Sequence, residues 1–481
     1  MDKMILERSE YRDKVFACWL GKNIGGTLGT PWEGPQHTHA MDYYEPLPGK
    51  VAPNDDLDLQ LMWLKMLEEE GLDPALPVFA EYWNRYASAY PWSEYGMFMR
   101  NYSRGLMPPI AGCFENYFVD HMGSPIRSEI WACLYPGDPQ AAARMAWKDS
   151  AMDHTGGEGT YGEMFLAAIE SAAFVERDPM TLIHIGLNMI PVSSHLARSI
   201  KEAIWCYENG KTWGQARERI HIRFGQHHSS NAVTNHGFII IGWLYGRDFG
   251  DKLCKAVNCG YDTDCTGATL GSLLGILNGT AGIPEKWRNP IGTDIVIHPF
   301  LRHLTPPKNL EELTDRTVAL AEKAMKSSSE RAFGEKTELP GNLRTRLYRN
   351  KLAKKVLIQD VHSAVNLCDG KEIVFHYNGE PVLRPGIGKE VAVTIDGQKD
   401  VQVDLSVPQS WTCCRIGPAE FELFSETPVA NRNTIQVILP NKKRIDFAML
   451  GPGEAKGFPA CEGVAVCPKC LARVEACFCA K

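Results

Sequence analysis

Two carboxylate pairs, Asp55-Asp56 and Asp262-x-Asp264, carry the residues of this 481-residue chain best suited to chemistry. The second lies in Gly260-Tyr261-Asp262-Thr263-Asp264-Cys265-Thr266-Gly267-Ala268, at the start of a segment whose Gly267, Gly271 and Gly275 recur every fourth position. Carboxylate and hydroxyl oxygens packed at a helix start suit a hard divalent cation such as Mg²⁺, Mn²⁺ or Ca²⁺. Taken alone, Asp264 reads equally well as a helix cap. The first pair, in Pro53-Asn54-Asp55-Asp56-Leu57-Asp58, changes that balance. Asn54 is a good N-cap and acids in a first turn complement the helix dipole, but one cap does not need three carboxylates. If the two helix starts meet, Asp55, Asp56, Asp262 and Asp264 can hold one or two cations.

The elements that must bring them together can be read from periodicity. The run 59–67 is amphipathic and ends in a Glu run and Gly71, so a helix is predicted there. The glycines at 267, 271 and 275 share one helical face, which another helix backbone can approach closely. Residues 10–40 join an aromatic and apolar helix to Gly21, Gly25, Gly26 and Gly29, followed by the turn Thr30-Pro31. These glycines suit helix packing or ligand approach equally.

Four segments in order, ACWLGKNIGGTLGTPWEG (17–34), NDDLDLQLMWL (54–64), DSAMDHTGGEGTYGEMFLAAIESAAF (149–174) and GYDTDCTGATLGSLLG (260–275), resemble the ADP-ribosylglycohydrolases. The resemblance spans about residues 10–330. It implies an all-helical domain with a binuclear Mg²⁺ or Mn²⁺ centre that hydrolyses a glycosidic bond at an anomeric carbon. Carried over by motif, it makes Asn54, Asp55, Asp56, Asp262, Asp264 and Cys265 the metal-ligand set. Glu33 becomes the residue that orients the attacking water or accepts its proton, and His154, Gly157 and Tyr161 become substrate contacts. Glu33, Asp55 and Asp262 are the candidate catalytic residues. Two positions depart from the family pattern, where threonines are usual: Asn54 offers an amide oxygen and Cys265 a soft sulfur.

Aromatic residues crowd 78–120. At helical spacing such a stripe is more often core, but Tyr90-Pro91-Trp92-Ser93-Glu94-Tyr95-Gly96 breaks the pattern, and Trp92 is a candidate to stack on a sugar or base. The loop from Met107 to Arg127 is expected to bring Gly123 and Ser124, with Arg127 as a cation, to the same mouth. Asn231 and Asn235 can flank the site or merely cap. His227-His228 is disfavoured as a metal pair, because adjacent side chains on regular structure point apart.

A formal charge of −7 argues against a general nucleic-acid or anionic-membrane binder. The first residues lack the apolar core of a signal peptide, and the apolar runs are too short to span a bilayer. Fifteen cysteines then fit a reducing cytoplasm better than a disulfide framework. Domains are expected at 1–335 (helical, catalytic), 345–455 and 456–481. Alternating runs at 373–377, 391–395, 401–405 and 434–439 predict a small β-sandwich-like domain, assigned a structural or oligomeric role with carbohydrate binding as the sharper alternative. The tail places Cys467, Cys470, Cys477 and Cys479 close enough to surround a structural Zn²⁺, with free thiols the equal alternative.

The fold class is therefore mainly α, with a β-rich accessory domain and a Cys-rich tail. Three function classes stay open: an ADP-ribosyl hydrolase acting on a modified protein or small ADP-ribose derivative, which the resemblance favours; a glycosidase or nucleoside hydrolase on the same scaffold; and a non-catalytic, crystallin-like binding protein. The expected partner is the substrate itself, with homo-oligomerisation left open.

Overall fold

A computed structural model describes residues 3–452. The chain divides into two compact units, Met1–Ile373 and Val374–Lys481. The first is helical, built around the contact between Arg8–Gly29 and Thr263–Asn278. Gly21 packs on Gly271, Gly25 on Gly267, and Gly29 on Thr263, while Gly275 lies against Ala17. The two helices therefore run antiparallel with backbones touching. A Cβ added at Gly21 or Gly25 would overlap a carbonyl of the opposite helix. Glycine is needed here for close approach, and the consequence is positional: the start of the second helix is fixed beside the end of the first.

Local chemistry defines both partners. Glu7 caps the first helix by accepting the Ser9 and Glu10 amides. The second begins after Tyr261, whose φ of 71° turns the chain sharply into the helix. Asp55–Glu70 is capped by Asn54, which accepts the Asp56 amide at 2.7 Å, and it buries Trp63 wholly. Ser93–Ser103, Glu158–Ala173 and Ala232–Tyr245 complete the set that approaches the acidic segments. A parallel strand pair, Met4–Glu7 with Arg331–Gly334, ties the start of the unit to its far side.

The expected boundary between 335 and 345 differs from the division at Ile373. The segments Leu343–Leu347 and Lys351–Leu357 are helices that belong to the first unit. Asn188 donates to the Tyr348 carbonyl, Asn350 donates back to Asn188, and Arg349 pairs with Glu330 at 2.7 Å. Part-buried polar anchoring of this kind leaves no trace in hydrophobic periodicity.

The second unit holds the expected antiparallel β-structure. Within the second unit Lys371–His376, Lys389–Ile395, Glu420–Phe424 and Thr412–Arg415 are neighbouring strands of one sheet in that order, and the division between the units falls within Lys371–His376. The other runs Arg444–Leu450, Arg432–Ile438, Asp404–Ser406. Alternation along Glu420–Phe424 sends Phe421 and Leu423 inward. Phe375 stacks on Phe447 with centroids 5.2 Å apart, joining the apolar faces of the two sheets. The tail cysteines at 467, 470, 477 and 479 lie outside the described residues. Among the described residues, no helix is long and apolar enough to cross a membrane.

Gly25→Ala is expected to lower stability by about 1–3 kcal/mol, because overpacking is resisted by backbone that cannot repack as a side chain can. Gly214→Ala, where an added Cβ meets nothing, should be neutral or slightly stabilising. Denaturant midpoints of the two variants test the contact, and equal midpoints would refute it.

Candidate active site

The loop after the first helix is laced to the segment before the second. Gly34 N–H donates to the Tyr261 carbonyl and Tyr261 N–H to the Pro35 carbonyl, each at 2.8 Å, while His39 N–H donates to Asn258 at 3.0 Å. Asn235 accepts the Asp262 amide at 3.3 Å. Glu33 is thereby carried to the rim of the acidic segment. Its residue surface is exposed, but a carboxylate oxygen lies within 4.8 Å of oxygens of Asp262 and Asp264.

A second group sits deeper. Asp56, Asp264 and Cys265 are buried, and one ligand atom of each lies within 4.8 Å of the other two. Asp264 belongs to both groups. Oδ1 of Asp56, Asp262 and Asp264 is buried without a hydrogen-bond partner. Such oxygens are costly to leave unmatched, and a divalent cation fits this oxygen-rich set. Cys265 donates its thiol to Asp56 Oδ2 at 3.8 Å, and burial, reinforced by Asp262 and Asp56, pushes that thiol well above its ordinary pKa. Asn54 Oδ1 is engaged in capping, and the Thr263 and Thr266 hydroxyls donate to the carbonyls of Gly29 and Thr263.

One cation of the protein's own lies behind this cluster. Lys22 is 1 % exposed, with Nζ 2.8 Å from Glu129, 3.0 Å from the Ile126 carbonyl and 3.6 Å from Asp56. Gln60 donates to the other Glu129 oxygen at 2.7 Å and accepts the Ile130 amide. Burial works against the ammonium, but Glu129 and Asp56 outweigh it and raise its pKa. Neither Lys22 nor Glu129 featured in the motif reading. Lys22 did carry a signal, as a lone charge in an apolar run, and a lone buried charge demands a partner; Glu129, two residues after Arg127, did not stand out in this way.

An aromatic wall stands beside the cluster. Trp92, 41 % exposed, has its ring 5.1 Å from Tyr90, 5.6 Å from His298 and 5.4 Å from Phe300. Asp58, one helical turn beyond Asp55, fixes this wall by accepting the Tyr90 hydroxyl at 2.9 Å and the His298 amide at 2.7 Å. His298 and Phe300 come from an irregular stretch without periodicity, so nothing in the pattern marked them.

The remaining expected contacts have other settings. His154 is fully buried, with Nδ1 2.7 Å from Asp153 and Nε2 3.7 Å from Glu94. Despite burial, which opposes the charged form, these carboxylates lift its pKa to about 9. Arg127 is not a cation at the mouth: it is wholly buried and bidentate on Asp153, with Asp149 at 2.8 Å. Gly123 packs on Glu94 and Tyr95, the Ser124 hydroxyl donates to the Gly159 carbonyl, and Gly157 packs on Val119. Tyr161 is half-buried near Glu158 and Asp120. Glu94 also reaches His121 at 3.3 Å, and His121 stacks on the exposed His228 at 4.3 Å. Asn231 caps its helix by accepting the Thr234 amide.

The profile of the ADP-ribosylglycohydrolase family matches residues 7–328, the span that contains both acidic segments and Glu33. The chain belongs to the ADP-ribosylglycohydrolase family. This ADP-ribosylglycohydrolase relative is also similar to a solved chain described as an "ADP-ribosylglycohydrolase-related protein complex", at 19% identity and a TM-score of 0.48, covering 66% of this chain and 100% of that one. No curated protein matches it. The family is hydrolytic and generally metal-dependent.

The crowded acids set a pH signature. Burial and neighbouring carboxylates raise Glu33 and Asp55 to about 7 and Asp56 to about 8. Between their ordinary range near 4 and these values, the folded state keeps protons that the unfolded state has lost, so cation-free stability falls as pH rises across that window. A bound cation removes the penalty. The increase in Tm on adding Mn²⁺ or Mg²⁺ should therefore be larger at pH 8 than at pH 5, and equal increases would count against the acids as ligands.

Proposed function

We propose that this chain is a divalent-metal-dependent glycohydrolase that cleaves a glycosidic bond at an anomeric carbon, with an ADP-ribosyl group as the favoured substrate. The observation that supports it most is the convergence of Glu33, Asp56, Asp262 and Asp264, from three distant segments, with a buried oxygen of Asp262 and one of Asp264 unmatched. Asp55, Asp56, Asp262 and Asp264 would hold the metal, Mg²⁺ or Mn²⁺ in the family pattern, with Cys265 adjacent. A bound divalent cation supplies Lewis acidity toward sugar and water oxygens.

The protein's own groups carry the remaining work. Glu33, at the rim and with its pKa raised to about 7, is placed to hold a water and accept its proton as that oxygen bonds to the anomeric carbon. The bond to the leaving group breaks with its electron pair departing on that group. Trp92, with Tyr90, His298 and Phe300 behind it, offers a surface for stacking a base or sugar. Lys22, itself held by Glu129, faces Asp56 from behind, so that the carboxylate is oriented before substrate arrives. That same exposed aromatic wall favours a second reading, a glycosidase or nucleoside hydrolase on this scaffold, since stacking does not require a diphosphate.

Hydrolysis of ADP-ribosyl-arginine, ADP-ribosyl-serine, nucleosides and aryl glycosides, each with Mg²⁺, Mn²⁺ or chelator, separates the readings. Chelator-sensitive release of ADP-ribose is the expected result, and release only from nucleosides or glycosides would install the second reading. Glu33→Gln should cut kcat by about 10²–10⁴ with little effect on KM. Asp262→Ala and Asp264→Ala should abolish turnover in a folded protein, and full activity in both would refute the assignment.

A further inference from the structure

The deep half of the acidic cluster differs in donor chemistry from the rim half. At the rim, Glu33, Asp262 and Asp264 offer only oxygen; in the deep group, Asp56 and Asp264 are joined by the Cys265 sulfur. The deep group is closed to solvent, with Asp56 0 %, Cys265 7 % and Asp264 8 % exposed. Independently of the clustering, Asp264 Oδ1 is buried there without a hydrogen-bond partner, and Asp56 Oδ1 has only the Lys22 ammonium, 3.6 Å away. The thiol satisfies neither atom, because it is directed at Asp56 Oδ2.

We infer that this deep position takes a borderline, thiophilic cation of the Zn²⁺, Co²⁺ or Fe²⁺ class, with Cys265 as a sulfur ligand. The inference rests on the reading of the acidic cluster as a metal site, and it narrows which metal sits where. Ligand softness is the physical basis: thiolate selects Zn²⁺ and its neighbours, while Mg²⁺ and Mn²⁺ prefer all-oxygen sites. On binding, the metal–sulfur bond replaces the S–H bond and the proton is released to solvent, with no change of oxidation state. Two carboxylates and a thiolate bring three negative charges against a dication. Lys22, 3.6 Å from Asp56, offsets part of the surplus. The rim position, lacking sulfur, keeps the hard-cation preference, so the two halves differ in metal identity.

The test uses the full chain, stripped with chelator and titrated with Co²⁺, Zn²⁺, Mn²⁺ and Mg²⁺. Near-ultraviolet absorbance reports thiolate-to-cobalt charge transfer without any substrate present. Because the tail cysteines can also bind Co²⁺, two full-length variants assign the band: Cys265→Ser, and a tail variant that combines Cys461→Ser, Cys467→Ser, Cys470→Ser, Cys477→Ser and Cys479→Ser. A charge-transfer component that persists in the tail variant and disappears in Cys265→Ser is expected. Zn²⁺ affinity in the tail variant should drop at least about tenfold on adding Cys265→Ser, whereas Mn²⁺ affinity should hold or improve. An unchanged Tm without metal would show that Cys265→Ser is folded, and Asp56→Asn, which keeps the sulfur, should weaken the same band. Mn²⁺ or Mg²⁺ binding with no Cys265-dependent band or Zn²⁺ preference would overturn the inference and leave the metal site standing. Failure of all four cations to bind, with Asp264→Asn indistinguishable from the parent, would overturn both.

Discussion

Everything at the site depends on two helix backbones touching. Arg8–Gly29 and Thr263–Asn278 meet through glycine on glycine, with no side chain between them to yield. A contact of that kind has one register, since sliding either helix by a residue would drive side chains into carbonyls. It fixes the start of one helix against the end of the other, and with it Asp262 and Asp264 against the turn that carries Glu33. Conventional core packing tolerates exchange of one apolar shape for another. Here the tolerance is small, and the stiffness is what lets like charges be held together.

Holding them is an electrostatic cost that the fold meets in stages. Asp58 Oδ2 accepts from the Tyr90 hydroxyl and the His298 amide, and Asp56 leans on Lys22. Asp262 and Asp264 keep oxygens with no hydrogen-bond partner. Buried polar groups are ordinarily matched, and the acidic segments are among the places in this chain where buried oxygens lack a hydrogen-bond partner. A separate chain of charges, Glu94 to His154 to Asp153 to Arg127, is fully internal and rigidifies the layer under the aromatic wall. Removing one partner of such a buried pair typically costs about 3–5 kcal/mol, far more than the intact pair contributes.

The sequence revealed the features that obey a short-range rule. Glycines every fourth residue announced the helix contact, Asn54 before three acids announced a capped helix, and alternation at 434–439 announced a strand. Family motifs added Glu33, which no periodicity marks. Features depending on distant partners stayed hidden. Lys22 became intelligible only beside Glu129, and Arg127 was read as a cation at the mouth because its two aspartates lie beyond any local window. His298 and Phe300 had no pattern at all, since an irregular loop is positioned by what it touches. The helices at 343–357 were missed as members of the first unit for the same reason: hydrogen bonds from Asn188 and Asn350, rather than an apolar stripe, attach them.

The strand pair Met4–Glu7 with Arg331–Gly334 bears on how the protein is made. A parallel pairing between residues more than three hundred positions apart cannot close until the later strand exists. On the ribosome, the first strand waits through the synthesis of nearly every helix, including both members of the glycine contact. The pairing can form only when residue 334 has emerged, and the helices Leu343–Leu347 and Lys351–Leu357 of the same unit follow it. The helical unit therefore completes itself last, after both acidic segments have been made.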